Sequence, residues 1–219
     1  MSDGTPAGSP RLDFSARKTD RRNDMAEAGA RQPNGSGTML FIRRWMANPL
    51  RMGSLVPSSA ALCRLVVKQA WPEPGKGVLE LGSGTGVIAR ALLAGGLPPD
   101  RLIVVEIDPG LAACLRTTLP GVTVLEGDAR RLVEFLPEAW RGRIGSVICG
   151  VPLVLLAKPE QARFIGAIDA VAPGRGFLHY SYCVTSPLPS RHHNLTARRE
   201  AWTPLNLPPA SVWRYTPND

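Results

Sequence analysis

Hydrophobic residues from Val78 onward fall into short runs that alternate with amphipathic segments. The runs are typical of buried strands, and they predict strands over Val78–Leu81, Leu102–Glu106, Val122–Leu125, Ile144–Cys149 and Gly176–Tyr182. Helices are predicted to begin near Thr85, Pro109, Arg130 and Pro159. Strands and helices that alternate in this way form a parallel sheet that is covered by helices on both faces.

The end of the chain follows a different pattern. Residues His193–Trp202 and Ser211–Tyr215 resemble two further strands, and a proline-rich stretch lies between them. Two late strands with a short connection form an antiparallel hairpin. The predicted fold is therefore α/β, with a mostly parallel seven-stranded sheet that an antiparallel hairpin closes.

The segment before the first strand divides into two parts. Residues 1–37 are rich in Gly, Ser, Pro, Arg and Asp and hold few large apolar side chains, which predicts a disordered basic tail. Residues 38–219 are predicted to form a single domain that opens with an amphipathic helix over 38–47 (TMLFIRRWMA). Ser58 or Ser59 is expected to cap a second helix.

Composition narrows the class of protein. The chain has 219 residues and a formal net charge of +8, which favours an anionic partner, although such a charge can also serve solubility alone. No apolar run reaches the ~20 residues that a membrane-spanning helix needs, and no secretory signal is recognisable. The four cysteines are far apart, so neither a metal site nor a disulfide framework is expected. These features predict a cytoplasmic protein.

A glycine-rich segment follows the first predicted strand and begins a helix. It reads Glu80-Leu81-Gly82-Ser83-Gly84-Thr85-Gly86. Glycines in such a turn adopt positive φ and let a ligand approach the backbone, and the start of a helix favours a carboxylate. An acidic residue two positions before GxGxG differs from the GxGxxG of dinucleotide-binding folds. It is the form that methyltransferases use.

Two further acidic residues follow the next strands. Glu106, which precedes Ile107, ends the second strand, where a carboxylate can accept both hydroxyls of a ribose. Asp128 lies in Gly127-Asp128-Ala129 after the third strand and can accept a hydrogen bond from an adenine amine. The three segments together predict S-adenosylmethionine as the cofactor. Its methionine end, ribose and adenine are expected to lie at the ends of the first, second and third strands in turn.

These motifs resemble one enzyme family over about Leu40 to Tyr215. The similarity is to bacterial phosphatidylethanolamine N-methyltransferases of the soluble, peripheral type, and it lies in FIRRWMANPLRMGSLVPSS, VLELGSGTG, VVEIDP, GDA, VPLVLLAKP and NLPPASVWRY. The resemblance implies a Rossmann-like class I methyltransferase fold and stepwise methylation of phosphatidylethanolamine to its mono- and dimethyl derivatives and to phosphatidylcholine. It also implies that Ser54 lies at the edge of the methionine pocket, with an ordinary interhelix turn as the alternative.

The rRNA adenine dimethyltransferases are similar to the same family, and one segment distinguishes the two groups. Their fourth strand ends in a motif like Asn-Leu-Pro-Tyr, whose tyrosine stacks on the base. The corresponding stretch here is Gly150-Val151-Pro152-Leu153, which has no aromatic platform, and no basic RNA-binding domain follows Tyr215. The sequence therefore favours a lipid and predicts no nucleic-acid partner. An rRNA adenine, another aminolipid such as ornithine lipid, and a cofactor-binding protein without activity remain the alternatives.

The catalytic candidates are Gly150, Pro152 and Tyr180. Tyr180 and Tyr182 are alternate residues of the fifth predicted strand, so they share one face and could polarise the amine or attract a quaternary ammonium. The alternative is that both are core residues. A phosphate needs cationic partners, and the candidates are Arg43, Arg44, Arg51 and Arg191.

The segment over 38–47 has the character of a helix that lies in a membrane surface. Trp45 and flanking arginines belong to it, and the nearby basic tail would add attraction to anionic lipid. A lid over the cofactor is the alternative role. We therefore expect a monomer that binds peripherally to the inner face of the cell membrane.

Overall fold

The structure is a computed structural model that describes Met1 and residues 59–183, 185–206 and 208–218. In these ranges the α-helices are α1 (Ala60–Ala70), α2 (Val87–Ala94), α3 (Pro109–Thr118), α4 (Leu132–Phe135) and α5 (Lys158–Val171). None of them is long and apolar enough to cross a bilayer. The predicted tail, the helix predicted over 38–47, and the candidates Arg43, Arg44, Trp45, Arg51 and Ser54 lie outside the described residues.

Seven strands form one sheet in the order β3-β2-β1-β4-β5-β7-β6. They are β1 (Gly77–Leu81), β2 (Leu102–Glu106), β3 (Thr123–Glu126), β4 (Ile144–Cys149), β5 (Phe177–Ser181), β6 (Leu195–Thr203) and β7 (Ala210–Pro217). β1 to β5 run parallel, and β7 runs antiparallel to both β5 and β6. The predicted fold class is confirmed. The order reverses at β1, and such a switch point opens a crevice at the carboxyl ends of the strands.

Several predicted boundaries shift by one or two residues, and two of the shifts arise at a cap. The strand predicted from His193 begins at Leu195, because a short 3₁₀ turn precedes it and Asn194 ends that turn with φ of 52°. The helix predicted near Arg130 begins as a 3₁₀ turn, which the Asp128 side chain caps by accepting from the Arg130 amide. A single helical turn, α4, follows it.

Side chains of the sheet alternate between two apolar layers. Leu79 and Leu81 of β1 pack in the layer that contains α4 and α5. Val78 packs in the opposite layer with α1, α2 and α3. Glu80 follows the same alternation as Val78, so the pleat of β1 places a carboxylate in an apolar layer. Burial of the two layers supplies the main drive for folding.

The hairpin returns the chain to the carboxyl edge of the sheet, by which we mean the edge where β1 to β5 end. Because β5 and β6 are both antiparallel to β7, β6 runs parallel to β5 and ends at this edge. Asn206 holds the β6–β7 loop there: its Oδ1 accepts from the Ser59 amide (2.9 Å), and its Nδ2 donates to the Pro208 carbonyl (2.9 Å). The start of α1 is thereby fastened to the hairpin.

The long connection between β5 and β6 is fastened by Tyr215 of β7, which is fully buried. Its ring stacks on Phe177, with ring centroids 5.2 Å apart. Its hydroxyl lies 2.8 Å from Ser186 Oγ and accepts from the Leu188 amide at 3.4 Å. One buried phenol thus serves two polar groups of the connection.

Tyr215→Phe is expected to lower the free energy of unfolding by about 1–2 kcal/mol, because a buried amide loses its acceptor and a hydroxyl loses its partner. Urea denaturation of both proteins measures the change. Thr118→Val, which removes an exposed hydroxyl of α3, is the control and should stay within about 0.5 kcal/mol of wild type. Equal losses in the two variants would contradict the role given to Tyr215.

Candidate functional site

The glycine loop, Gly82 to Gly86, connects β1 to α2 at the carboxyl edge. Gly82, Gly84 and Gly86 have φ of 72°, 56° and 75°, in the left-handed region that favours glycine. A Cβ on Gly82 would lie 2.8 Å from Val151 Cγ2, so the loop packs directly on the segment that follows β4. The Gly82 amide donates to the Val105 carbonyl (2.8 Å), which fixes the loop to β2.

Two polar side-chain atoms of the loop region are buried without a hydrogen bond of ordinary geometry. Among the described residues, Glu80 Oε2 and Ser83 Oγ are inaccessible to solvent and have no such partner. Burial raises the pKa of Glu80 from 4.5 to about 8; the neighbouring Ser83 hydroxyl acts to lower this pKa, and the charge of Glu106 acts to raise it. Buried polar atoms in native proteins almost always have partners, so these two are suited to polar groups of a ligand.

Glu106 lies at the end of β2, and its side chain accepts hydrogen bonds from the glycine loop and from the turn that follows β2. Its Oε2 accepts from the Gly84 amide (2.8 Å), and its Oε1 accepts from the Asp108 amide (2.9 Å). Burial raises the pKa of Glu106, although hydrogen bonds from the Asp108, Gly84 and Ile107 amides oppose the shift. A carboxylate has about four acceptor positions, so these amides leave acceptor capacity for the ribose hydroxyls that the sequence predicts here.

Asp128 is engaged by an arginine that the sequence analysis overlooked. Its carboxylate oxygens accept from Arg130 Nε at 3.0 and 2.9 Å, and Arg130 also pairs with Glu160 of α5. Burial acts to raise the pKa of Asp128, but the hydrogen bonds from Arg130 outweigh it and hold the pKa below its ordinary value. The predicted bond to an adenine amine would therefore share this carboxylate with Arg130. Gly127 and Ala129 flank it, and Ala129 is buried.

Gly150 and Tyr180 meet at the end of β4, beside the glycine loop. The Gly150 amide donates to the Leu81 carbonyl (2.8 Å). A Cβ on Gly150 would lie 2.8 Å from both the Gly82 carbonyl oxygen and the Tyr180 hydroxyl oxygen. No side chain fits at this position without displacing one of them. The fold thus brings two of the catalytic candidates together with the glycine loop; the third, Pro152, is buried two residues further on.

Tyr180 and Tyr182 pack against the same apolar layer, as alternation along β5 predicts. Burial raises the pKa of Tyr180 far above its ordinary value, and the negative charge of nearby Glu80 adds to the shift. The Tyr180 phenol therefore stays neutral at any physiological pH. In that state it can donate or accept a hydrogen bond, but it supplies no phenolate.

Arg191 lies in an exposed turn that is tied to the segment after β4. His193, two residues after Arg191, forms a hydrogen bond of 2.8 Å between its Nε2 and Gln161 Oε1. Gln161 is buried, and its Nε2 donates to the Leu153 and Leu156 carbonyls at 3.0 Å each. The sequence analysis missed Gln161, because a lone glutamine in a helix carries no recognisable signal.

Comparison with known proteins gives a relative that spans most of the chain. No protein-family model matches. Ornithine lipid N-methyltransferase of Singulisphaera acidiphila is 28% identical over 182 residues, which cover 80% of this chain and 93% of that protein. Ribosomal RNA small subunit methyltransferase A of Chlorobium phaeobacteroides is 33% identical over 78 residues, which cover 36% of this chain and 28% of that protein.

Solved structures share the fold. Precorrin-6y C5,15-methyltransferase from Geobacter metallireducens GS-15 has a TM-score of 0.55 at 13% identity, over 74% of this chain and 90% of that chain. The chain has the fold and the glycine loop of S-adenosylmethionine-dependent methyltransferases. The predicted fold class and the predicted cofactor are confirmed.

The buried carboxyl of Glu80 should make the free energy of unfolding depend on pH. The pKa of this carboxyl, about 8, lies above the ordinary 4.5. The free energy of unfolding that its protonated form contributes is therefore fully present below pH ~4.5 and is lost as the pH rises through 8. In the absence of cofactor, the stability of the wild type should fall between pH 5.5 and 8, by at most about 1.4 kcal/mol per pH unit from this group.

Glu80→Gln, which has the same shape and does not ionise, should remove that part of the decline. Urea denaturation of both proteins at pH 5.5 and pH 8 measures the two slopes. The interpretation of Glu80 is wrong if the slopes are the same.

Proposed function

We propose that this chain transfers methyl groups from S-adenosylmethionine to the primary amine of an aminolipid. One observation carries the proposal: the glycine loop, the sterically closed Gly150 and the neutral Tyr180 hydroxyl meet at one point of the carboxyl edge. An acceptor nitrogen would have to reach the donor at such a point. The relative that covers most of this chain bears the name of a lipid N-methyltransferase, which supports a lipid acceptor.

The cofactor would be held by groups that the structure leaves ready for it. Glycines with positive φ form the cradle, and the unpaired Glu80 and Ser83 side chains supply buried polar contacts. Glu106, held by two backbone amides, would accept the ribose hydroxyls. S-adenosylmethionine supplies a methyl group on a positively charged sulfur, and the chain's own work is to position the acceptor.

The acceptor amine must lose a proton before its lone pair can bond to carbon. A primary alkyl ammonium has a pKa of about 10, and transfer from water to an apolar wall lowers that pKa. The wall here is formed by the buried side chains of Val151, Pro152 and Leu153. We assign Tyr180 the role of accepting a hydrogen bond from the amine N–H. That bond would direct the nitrogen lone pair while a proton leaves to water.

Two headgroups are candidates for the acceptor. Phosphatidylethanolamine follows from the resemblance of the sequence motifs, and ornithine lipid is favoured by the name of the 28% identical relative. Both carry a primary amine and an anionic group, and Arg191 is the described cation that we propose for the anionic group. Activity at the inner membrane surface, as a monomer, belongs to the same proposal.

An rRNA adenine is the weaker alternative. The rRNA methyltransferase relative matches over only 36% of this chain. The asparagine of the adenine-specific motif has no space at position 150, because Tyr180 and the Gly82 carbonyl occupy its surroundings.

The proposal is tested by offering labelled S-adenosylmethionine with vesicles of phosphatidylethanolamine, with vesicles of ornithine lipid, or with rRNA, and separating the products by chromatography. We expect label in at least one lipid and none in RNA. Label confined to RNA would overturn the lipid assignment, and label in none would favour a binding protein without activity.

Tyr180→Phe should lower kcat/KM for the lipid about 10- to 100-fold, the loss expected for one hydrogen bond to a reacting polar group. Cofactor affinity, measured by calorimetry, should not change. Tyr215→Phe is the matched control, since it removes a buried tyrosine hydroxyl and lowers stability without touching the site. Full turnover by Tyr180→Phe would contradict the role given to this hydroxyl.

A further inference from the structure

Four exposed apolar side chains lie at the carboxyl edge of the sheet. Among the described residues, the exposed large hydrophobics are Met1, Trp71, Val133, Val154, Leu155, Trp202 and Leu205. Four of them follow β4 or lie at the end of β6 and in the loop after it, and we call Val154, Leu155, Trp202 and Leu205 the carboxyl-edge rim. Apolar side chains that share one edge of a sheet and face water are typical of an interaction surface, whereas scattered single ones are not.

Strand direction places the rim beside the proposed site. β4 and β6 run in the same direction, so the segments that follow them lie at the same edge as the glycine loop. Trp202 pairs with Ser211, and Ser211 pairs with Ser181 at the end of β5. Two strand spacings amount to about 10 Å, so Trp202 stands that far across the sheet from the strand that carries Tyr180.

The exposure of Leu205 is enforced by its neighbours. Leu205 is 73% exposed, whereas Thr203 and Asn206 on either side are 5% and 3% exposed. Thr203 Oγ1 accepts from the Leu205 amide (3.1 Å), and Asn206 is bonded to Ser59 at the start of α1. Buried polar groups therefore hold the loop in a conformation that presents Leu205 to solvent.

A cation lies beside the part of the rim that follows β4. Lys158 begins α5 three residues after Leu155. Its side chain is exposed, and no acidic residue in the described ranges forms an ion pair with it. An apolar rim beside such a cation is complementary to an anionic bilayer, whose surface attracts lysine.

We infer that the carboxyl-edge rim is the surface that docks on an anionic lipid bilayer. Trp202 and Leu205 enter the boundary between headgroups and acyl chains, where tryptophan is favoured, while Lys158 contacts lipid phosphate. The inference rests on the proposed function, since it brings Gly150 and Tyr180 to the plane of the lipid amines. It uses a surface other than the segment over 38–47.

The test measures co-sedimentation of the full chain with vesicles of phosphatidylethanolamine and phosphatidylglycerol. The double variant Trp202→Ala/Leu205→Ser should bind about tenfold more weakly than wild type, because its apolar contact area is lost. Trp71→Ala is the matched control: Trp71 is 48% exposed but follows α1 on the way into β1, at the opposite edge of the sheet. It should bind like wild type.

Two outcomes would overturn the inference. The first is that the double variant binds vesicles as well as Trp71→Ala does, whether both match wild type or both lose binding equally. The second is a change of oligomeric state in the double variant, with vesicle binding intact, which would assign the rim to a second copy of the chain. Thermal unfolding and cofactor affinity, both expected to match wild type, show that the variant is folded.

Failure of the inference and failure of the proposed function give different results. If the carboxyl-edge rim does not dock on the bilayer, wild type still methylates lipid and the double variant does so equally well on vesicles. If the function is wrong, wild type binds vesicles through the rim but labels no lipid. When both hold, the double variant loses activity on vesicles and keeps it on a short-chain, water-soluble acceptor.

Discussion

Close backbone packing between the ends of β1 and β4 is the constraint on which the site depends. Gly82 and Gly150 are the contact points: a Cβ on the first would lie 2.8 Å from Val151, and a Cβ on the second would lie 2.8 Å from Gly82. Interiors pack densely, so such a contact admits no extra methyl group without displacement. Because these two strand ends touch, the glycine loop and the turn after β4 become parts of one candidate site.

This packing has an electrostatic consequence. The pleat of β1 buries Glu80 in an apolar layer, and the end of β2 buries Glu106 beside it. Burial raises the pKa of both carboxyl groups, the charge of Glu106 raises that of Glu80 further, and Glu106 receives backbone amides that offset part of the cost. Native structures retain a costly arrangement of this kind where a ligand completes it. In the proposed function, the unpaired oxygen of Glu80 and the neutral phenol of Tyr180 serve the chemistry of the site.

Buried polar side chains that carry no recognisable pattern organise the surroundings of the site. Gln161 holds the turn after β4 and, through His193, the turn that contains Arg191. Asn206 holds the hairpin loop against the start of α1. Each joins segments far apart in sequence, so neither could be recognised from its neighbours along the chain. The glycine loop is the feature that indicates the methyl donor. Gln161 and Asn206 hold the segments that surround the proposed acceptor site.

The sequence by itself determined the architecture and the cofactor. Alternation of apolar runs and helices predicts the parallel sheet, and the glycine spacing with Glu80 and Glu106 predicts S-adenosylmethionine, because both signals are local and recur at fixed intervals. Only the tertiary structure decided that Arg130 engages Asp128, that Tyr180 closes the space at Gly150, and that exposed apolar residues share the edge of the site. These are contacts between segments that the sheet brings together, and their geometry depends on strand order and packing, which a linear pattern does not specify.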